Sequence, residues 1–328
     1  ASESIITPTT VGITLSTGSA GATIDGFTIS GGTRGIESSS GPLNGLNILN
    51  NRIVSFTNGG LFLNDTGTDI TIDKNVVDGT SKTGGGGLVH LDTDGFDGFW
   101  FTDNNVVNGS TGTGLFSDGN HNVGVSGSRS PKMTGNLIQA NETGANLGKY
   151  SWEYADISDN VFQNNTFDGL QGGIQHSTIE DNTFDNNGRS GLALTGFGGS
   201  GDATRGAQDN TISGNTFTGN VVEAVLFSFS QFPGTISTNV LTLNNIATDN
   251  AWGVRYSGTE TIDAELNWWG SAEGPTHASN PFGVGATASD NVDFVPWCTE
   301  EDCDPTDITA PAASLTNPPS DPDNDANP

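Results

Sequence analysis

Short apolar runs rich in Ile, Val, Leu and Phe recur from end to end of the chain, separated by turns of Gly, Asn and Asp. Such runs read as β-strands joined by tight turns. One spacing organises them: apolar-x-x-Asn-x-apolar. It occurs as Ile48…Asn51…Ile53, Ile72…Asn75…Val77, Phe101…Asn104…Val106, Met133…Asn136…Ile138 and Ile157…Asn160…Phe162. It continues as Ile179…Asn182…Phe184, Ile212…Asn215…Phe217, Leu241…Asn244…Ile246 and Ala264…Asn267…Trp269, with Ile24…Phe27…Ile29 a degenerate first copy. Successive Asn residues lie 24, 29, 32, 24, 22, 33, 29 and 23 apart, which suits a unit of about 23 residues that sometimes carries an insertion. After each Asn comes a polar turn and then a second run opened by glycine: Gly60-Leu61, Gly87-Leu88, Gly114-Leu115, Gly173-Ile174, Gly191-Leu192 and Gly253-Val254.

A unit of two or three short strands cannot close its own core, but stacked units bury a continuous apolar column. The pattern therefore predicts an all-β parallel solenoid of about ten coils. The Asn, at one fixed corner, is expected to take the left-handed turn conformation, and identical amides stacked coil over coil can hydrogen-bond along the axis. An Asn kept only for solubility would not hold its register with the apolar neighbours.

On these repeats the chain resembles the right-handed parallel β-helix proteins of the pectin-lyase-like superfamily over about residues 11–297. The closing segment adds to the likeness: Asn267-Trp268-Trp269-Gly270, Gly274-Pro275 and Val292-Asp293-Phe294-Val295-Pro296-Trp297 look like the terminal element of many secreted members. The resemblance implies a β-helix domain over 1–301, with a capping segment at about 267–301 in which Trp268, Trp269, Phe282, Phe294 and Trp297 plug the end. It implies no single function, because the superfamily holds lyases, hydrolases, epimerases, tailspikes and structural surface proteins. The strand at 11–15 begins with hardly any cap before it, which points to an upstream region or a neighbour that covers that end.

Charge narrows the field. Ten Lys and Arg stand against 38 Asp and Glu, a net charge of −28. Nucleic acid and anionic membranes are poor partners for such a chain. Glycine, 47 residues of 328, is roughly twice its usual share, against a helical bundle. No run approaches a membrane span, so membrane insertion is not expected, and Ala1-Ser2-Glu3-Ser4 is not a signal peptide, which reads as a mature secreted form or an excised segment. Cys298 and Cys303 favour a local disulfide formed in an oxidising compartment, hence an extracellular, secreted or cell-surface location. Sequons at Asn64, Asn108, Asn141 and Asn164 carry little weight in so Asn- and Thr-rich a chain. Residues 302–328 are rich in Pro, Asp and Asn and read as an extended acidic linker or tail.

Candidate chemistry comes from the insertions, at 92–98, 118–132, 197–210 and 228–239, each just after the second strand of its unit. They should project from one edge and flank the two short units between them. That notch would hold Lys149, Tyr150, Trp152, Glu153, Tyr154 and His176, concentrating rare residue types. Tyr150, Tyr154, His176 and Lys149 are the candidate proton-transfer groups beside a sugar carboxylate, with Trp152, Glu153, Arg129 and Arg205 as substrate contacts. Lys132 on a wall could serve as a further carboxylate clamp. Asp92, Asp94 and Asp97 are candidate calcium ligands, although no Glu completes an EF-hand loop. Gly198-Gly199-Ser200-Gly201-Asp202 is a single, unrepeated fragment of a calcium-binding nonapeptide. The competing reading is structural: Tyr150, Trp152 and Tyr154 alternate as three core-facing strand residues would, and His176 is an ordinary surface histidine. The chain has no Asp-Pro-His motif, no adjacent aspartate pair of the pectin-hydrolase kind and no Arg or Lys beside clustered acids of the lyase kind. Two functions remain open: a structural or adhesive surface solenoid that self-associates, joins neighbouring modules or binds glycans, and a polysaccharide lyase or epimerase with its groove between the loops.

Overall fold

The computed structural model describes residues 4–91, 96–117, 130–195, 207–228, 236–301 and 303, except the side chains of 96, 148–151 and 237. Three long parallel sheets run through the molecule. The chain visits them in a fixed cycle. Sheet B, of ten strands, begins at Val11–Leu15 and ends at Trp252–Tyr256; sheet C, of eleven, begins at Thr23–Asp25; sheet A, of ten, begins at Ser4–Ile6 and ends at Asn245–Ile246. Each coil therefore contributes three strands to a parallel β-solenoid. With strands about 4.8 Å apart, the rod is roughly 50 Å long. The strand Ser4–Ile6 precedes the expected first strand and pairs with Phe27–Ser30, extending sheet A.

Inward positions stack in register. Phe162, Phe184 and Phe217 lie on successive coils with ring centroids 5.1 and 4.8 Å apart and planes within 5°. Ile157, Ile179 and Ile212 form the facing column from sheet C, and Leu170, Leu192 and Val225 the one from sheet B. Like residues stack because identical shapes at a one-strand spacing fill the column without voids. At the entry to sheet B the backbones approach so closely that glycine is required: a Cβ on Gly144 would overlap the Gly169 carbonyl, and one on Gly169 would lie 2.7 Å from Gly191 O. The glycine opening the run in the coil of residues 161–175 is thus Gly169, not Gly173.

The stacked asparagines form the expected ladder. Each Oδ1 of Asn75, Asn104, Asn136, Asn160, Asn182, Asn215, Asn244 and Asn267 accepts the backbone N–H of the preceding ladder Asn at 2.9–3.0 Å. Asn51 begins it by accepting Phe27 N–H. Each amide also donates to a carbonyl of the coil before, as Asn75 does to Ile48 O at 2.8 Å. One detail differs from expectation. The left-handed residue is not the ladder Asn but the one preceding it: Asn50, Lys74, Asp103, Asp159, Asp181, Leu243 and Leu266 have φ of 52–59°. That turn rotates the next side chain inward, where it is buried and serves the backbone.

A second ladder, not anticipated, lies at the turn from sheet A to sheet B. Asn141, Asn165, Asn187, Asn220 and Asn250 are buried, and their Oδ1 atoms accept the N–H of the preceding coil's turn at 2.9–3.3 Å. Asn141, a sequon residue, is thereby sealed inside the rod.

At the far end Trp269, Phe294 and Trp297 are buried and pack together, with Trp268 half-buried. Phe282, expected to join them, is 75% exposed, because it sits in the turn between Pro275–Thr276 and Gly285–Thr287, a small two-stranded sheet. Cys298 and Cys303 are joined in a disulfide. The predicted tail beyond 303 lies outside the described residues.

Candidate functional site

The four expected insertions all fall between a strand of sheet B and one of sheet C, linking Val89–Leu91 to Phe96–Thr102, Leu115–Ser117 to Lys132–Thr134, Ser190–Thr195 to Thr211–Ser213 and Glu223–Ser228 to Val240–Thr242. Three of them are long; the first is only residues 92–95, shorter than the connections 16–22 and 39–46, because the sheet C strand that follows it begins early, at Phe96. Residues 96–98, 132 and 228 belong to strands rather than to the insertions, and Asn210 and Asn239 are buried with Asn210 N–H bonded to Asn239 Oδ1. Between the second and third connections, two coils turn from B to C within two residues, 154–155 and 176–177.

Those short turns carry Tyr154 and His176. Both are left-handed, at φ 53° and 49°, and their rings stack at 5.1 Å with an interplanar angle of 17°. His176 Nδ1 lies 3.2 Å from Asp209 Oδ2 on the next coil. Tyr154, His176 and Asp209 thus form an outward column on one corner. The left-handed turn breaks the alternation that would have put Tyr154 in the core; it is 38% exposed. Trp152, in contrast, is 1% exposed, edge-on to Phe99 at 5.9 Å, with its indole N–H 3.4 Å from Ser117 Oγ. It packs the core and cannot meet a substrate. Glu153 is half-buried in register with Gln175. The side chains of Lys149 and Tyr150, and residues Arg129, Arg205, Asp92, Asp94 and 198–202, lie outside the described residues. Asp97 sits on a sheet C strand in register with Thr68. Among the described residues no three His, Cys, Asp or Glu gather as metal ligands.

Several cations are committed to acids of the rod. Arg189 reaches buried Asp168 at 3.5 Å, Arg255 reaches buried Glu223 at 2.9 Å, Lys132 reaches Asp156 at 3.4 Å, and Arg34 pairs with Glu37. Ser190 joins two of these systems, its N–H to Asp168 and its hydroxyl to Glu223. On the outer face of sheet B, Arg34 lies 3.8 Å from the Phe62 ring centroid, and His90 stands between Phe62 at 4.7 Å and Phe116 at 5.0 Å.

A further site was not legible as such. A cavity of about 510 Å³ opens between the last strand of sheet B and the capping segment. Trp252, Tyr256 and His277 line it together with Ser289, Asp290 and Asn291. Tyr256 donates its hydroxyl to Glu260 at 2.7 Å; burial and that carboxylate raise its pKa, so the phenol stays protonated. His277 is held from both sides, Nδ1 2.7 Å from Ser279 Oγ and Nε2 3.2 Å from Asp290 Oδ1. This is a Ser–His–Asp chain in which the Asp290 side chain is 93% exposed. The available signals were rarity, with Tyr256 the third tyrosine and His277 one of four histidines, and the capping segment itself.

The family described as a right-handed β-helix region matches residues 86–268, more than half of the chain. No curated protein matches the chain.

Proposed function

The chain belongs to the right-handed β-helix family, and from that premise we propose that it is an extracellular structural and adhesive module, a stiff acidic rod that associates with further copies or with neighbouring modules. The observation that carries this reading is the pair of buried Asn ladders, one of them spanning Asn51 to Asn267. They tie nearly every described coil to the next by side-chain as well as backbone hydrogen bonds. Such a rod keeps its ends at a constant separation, which a spacer or filament subunit needs and a binding cleft does not. The disulfide in the cap favours an oxidising location. At −28, contact between rods requires screening by salt or divalent ions. Negative-stain microscopy and sedimentation at graded NaCl and CaCl₂ test this. End-to-end or lateral assemblies that dissolve on chelation and at low ionic strength are expected; single rods at high concentration in every condition would refute self-association.

A second reading, a polysaccharide lyase or epimerase, draws support from the stacked, partly exposed Tyr154 and His176 on the two short coils between the insertion-bearing ones. Incubation with alginate and pectin, followed by the absorbance of unsaturated uronates, tests the lyase; the epimerase is read from the uronate composition of the polymer. A product formed by the parent and lost in Tyr154→Phe supports it, and no product in either removes it.

A further inference from the structure

We infer that the cavity between the last strand of sheet B and the capping segment binds a neutral saccharide. Its volume, about 510 Å³, suits one or two sugar rings. Its lining combines the two surfaces that such a ligand needs. Trp252, half-buried, offers a flat apolar face to the C–H side of a pyranose, with the buried Tyr256 behind it at the cavity wall, and the opposite edge of a sugar carries hydroxyls that pair with carboxylate, amide and imidazole groups.

These polar groups are held in place before any ligand arrives. His277 is fixed between Ser279 and Asp290, and it packs against the ring of buried Phe294 at 5.3 Å. Asn291 donates its amide to Gly258 O at 2.8 Å, and Ser289 donates its hydroxyl to Tyr256 O at 3.0 Å while accepting the Tyr256 N–H. The rim of the cap is thereby pinned to the end of sheet B, so little ordering cost remains for binding. Asp290 uses one carboxylate oxygen on His277 and stands otherwise in water, where its second oxygen can accept two vicinal hydroxyls.

Charge selects the class. No Lys or Arg lines the cavity, and the nearby Arg255 is turned to Glu223 at 2.9 Å. A uronate or phosphate would bring a negative charge beside Asp290 on a strongly acidic protein, so the uncharged sugar is preferred. This inference deepens the adhesive part of the proposed function and is independent of self-association.

The test titrates the full chain with glucose, galactose, mannose, N-acetylglucosamine and their disaccharides, with glucuronate and galacturonate as charged counterparts. Calorimetry and saturation-transfer NMR give affinities, and the indole signals report contact at Trp252. At least one neutral sugar is expected to bind more tightly than about 10 mM, with the matching uronate weaker by about tenfold or more. Asp290→Ala, an exposed position, is expected to weaken binding about tenfold at unchanged Tm; Trp252→Ala should weaken it too. The inference is overturned if no neutral sugar saturates, if uronates bind as well, or if Asp290→Ala binds like the parent. Sugar bound by single, non-assembling rods would sustain it while removing self-association. Assemblies that ignore every sugar would do the reverse.

Discussion

Replacing Asn160 by Ala isolates what one rung of the ladder contributes. The side chain is fully buried and makes four hydrogen bonds. Its Oδ1 accepts from Asn136 N at 3.0 Å and Asn136 Nδ2 at 2.8 Å; its Nδ2 donates to Met133 O at 2.6 Å and Asn182 Oδ1 at 2.9 Å. The losses are unequal. Asn136 Nδ2 keeps Phe101 O and Thr134 O, and Asn182 Oδ1 keeps the Asn160 N–H. Asn136 N–H is stranded in the core, at about 1–3 kcal/mol, and the bond to Met133 O is lost, at about 1 kcal/mol. With the small cavity left behind, the expected destabilisation is about 3–4 kcal/mol. Asn187→Ala should cost about as much, since that side chain makes the same four kinds of bond in the second ladder. Asn164→Ala, at an exposed turn with φ 54°, should cost only about 1 kcal/mol through backbone strain. Urea unfolding followed by far-UV circular dichroism gives the energies, and native-state amide exchange gives the place. The Asn136 amide should lose the most protection. If Asn160→Ala falls within about 1 kcal/mol of the parent and Asn136 stays protected, the ladder is not what holds the coils together.

Two further perturbations probe packing and charge. Gly144→Ala should destabilise by more than about 3 kcal/mol, because its Cβ would overlap the Gly169 carbonyl and neither backbone can retreat from its sheet; an unchanged melting temperature would show that the column is looser than its geometry. Burial, then Asp156, Asp181 and Asp159, push the Glu180 pKa up. An acid with a raised folded pKa costs stability once ionised, and the cost fades as pH falls through the folded and then the unfolded value. Glu180→Gln should thus stabilise by a few tenths of a kcal/mol at pH 7 and by nothing near pH 4. Thermal melts at both pH values check this, and a larger gain at the lower pH would contradict the assigned cause.

Much of the solenoid was legible because its determinants are local and repeat. Ile48, Asn51 and Ile53 mark one corner within six residues, and the same mark returns at intervals that only stacked coils explain. The second ladder left a trace as well, an Asn five residues after the first in Asn136/Asn141, Asn160/Asn165, Asn182/Asn187 and Asn215/Asn220. It passed as turn composition because Asn is common in turns on either account. Trp152 and Tyr154 show where such reasoning stops: alternation is a rule for strands, and the left-handed backbone of Tyr154 itself, just past the strand end, turns its ring to the surface while Trp152 stays in the core.

By itself, then, the sequence determined the all-β class, the coil, the inward columns and the edge from which the long connections depart, since each follows from a pattern a few residues wide repeated at one-coil spacing. Only the tertiary structure decided which residue of each Asn turn is left-handed, that Tyr154, His176 and Asp209 share a corner, and that Trp252 and Tyr256 meet His277 and Asp290 around a cavity. Those residues come from different coils or from a cap without a repeat. Their meeting depends on how the coils stack and how the chain folds back, which no short-range pattern encodes.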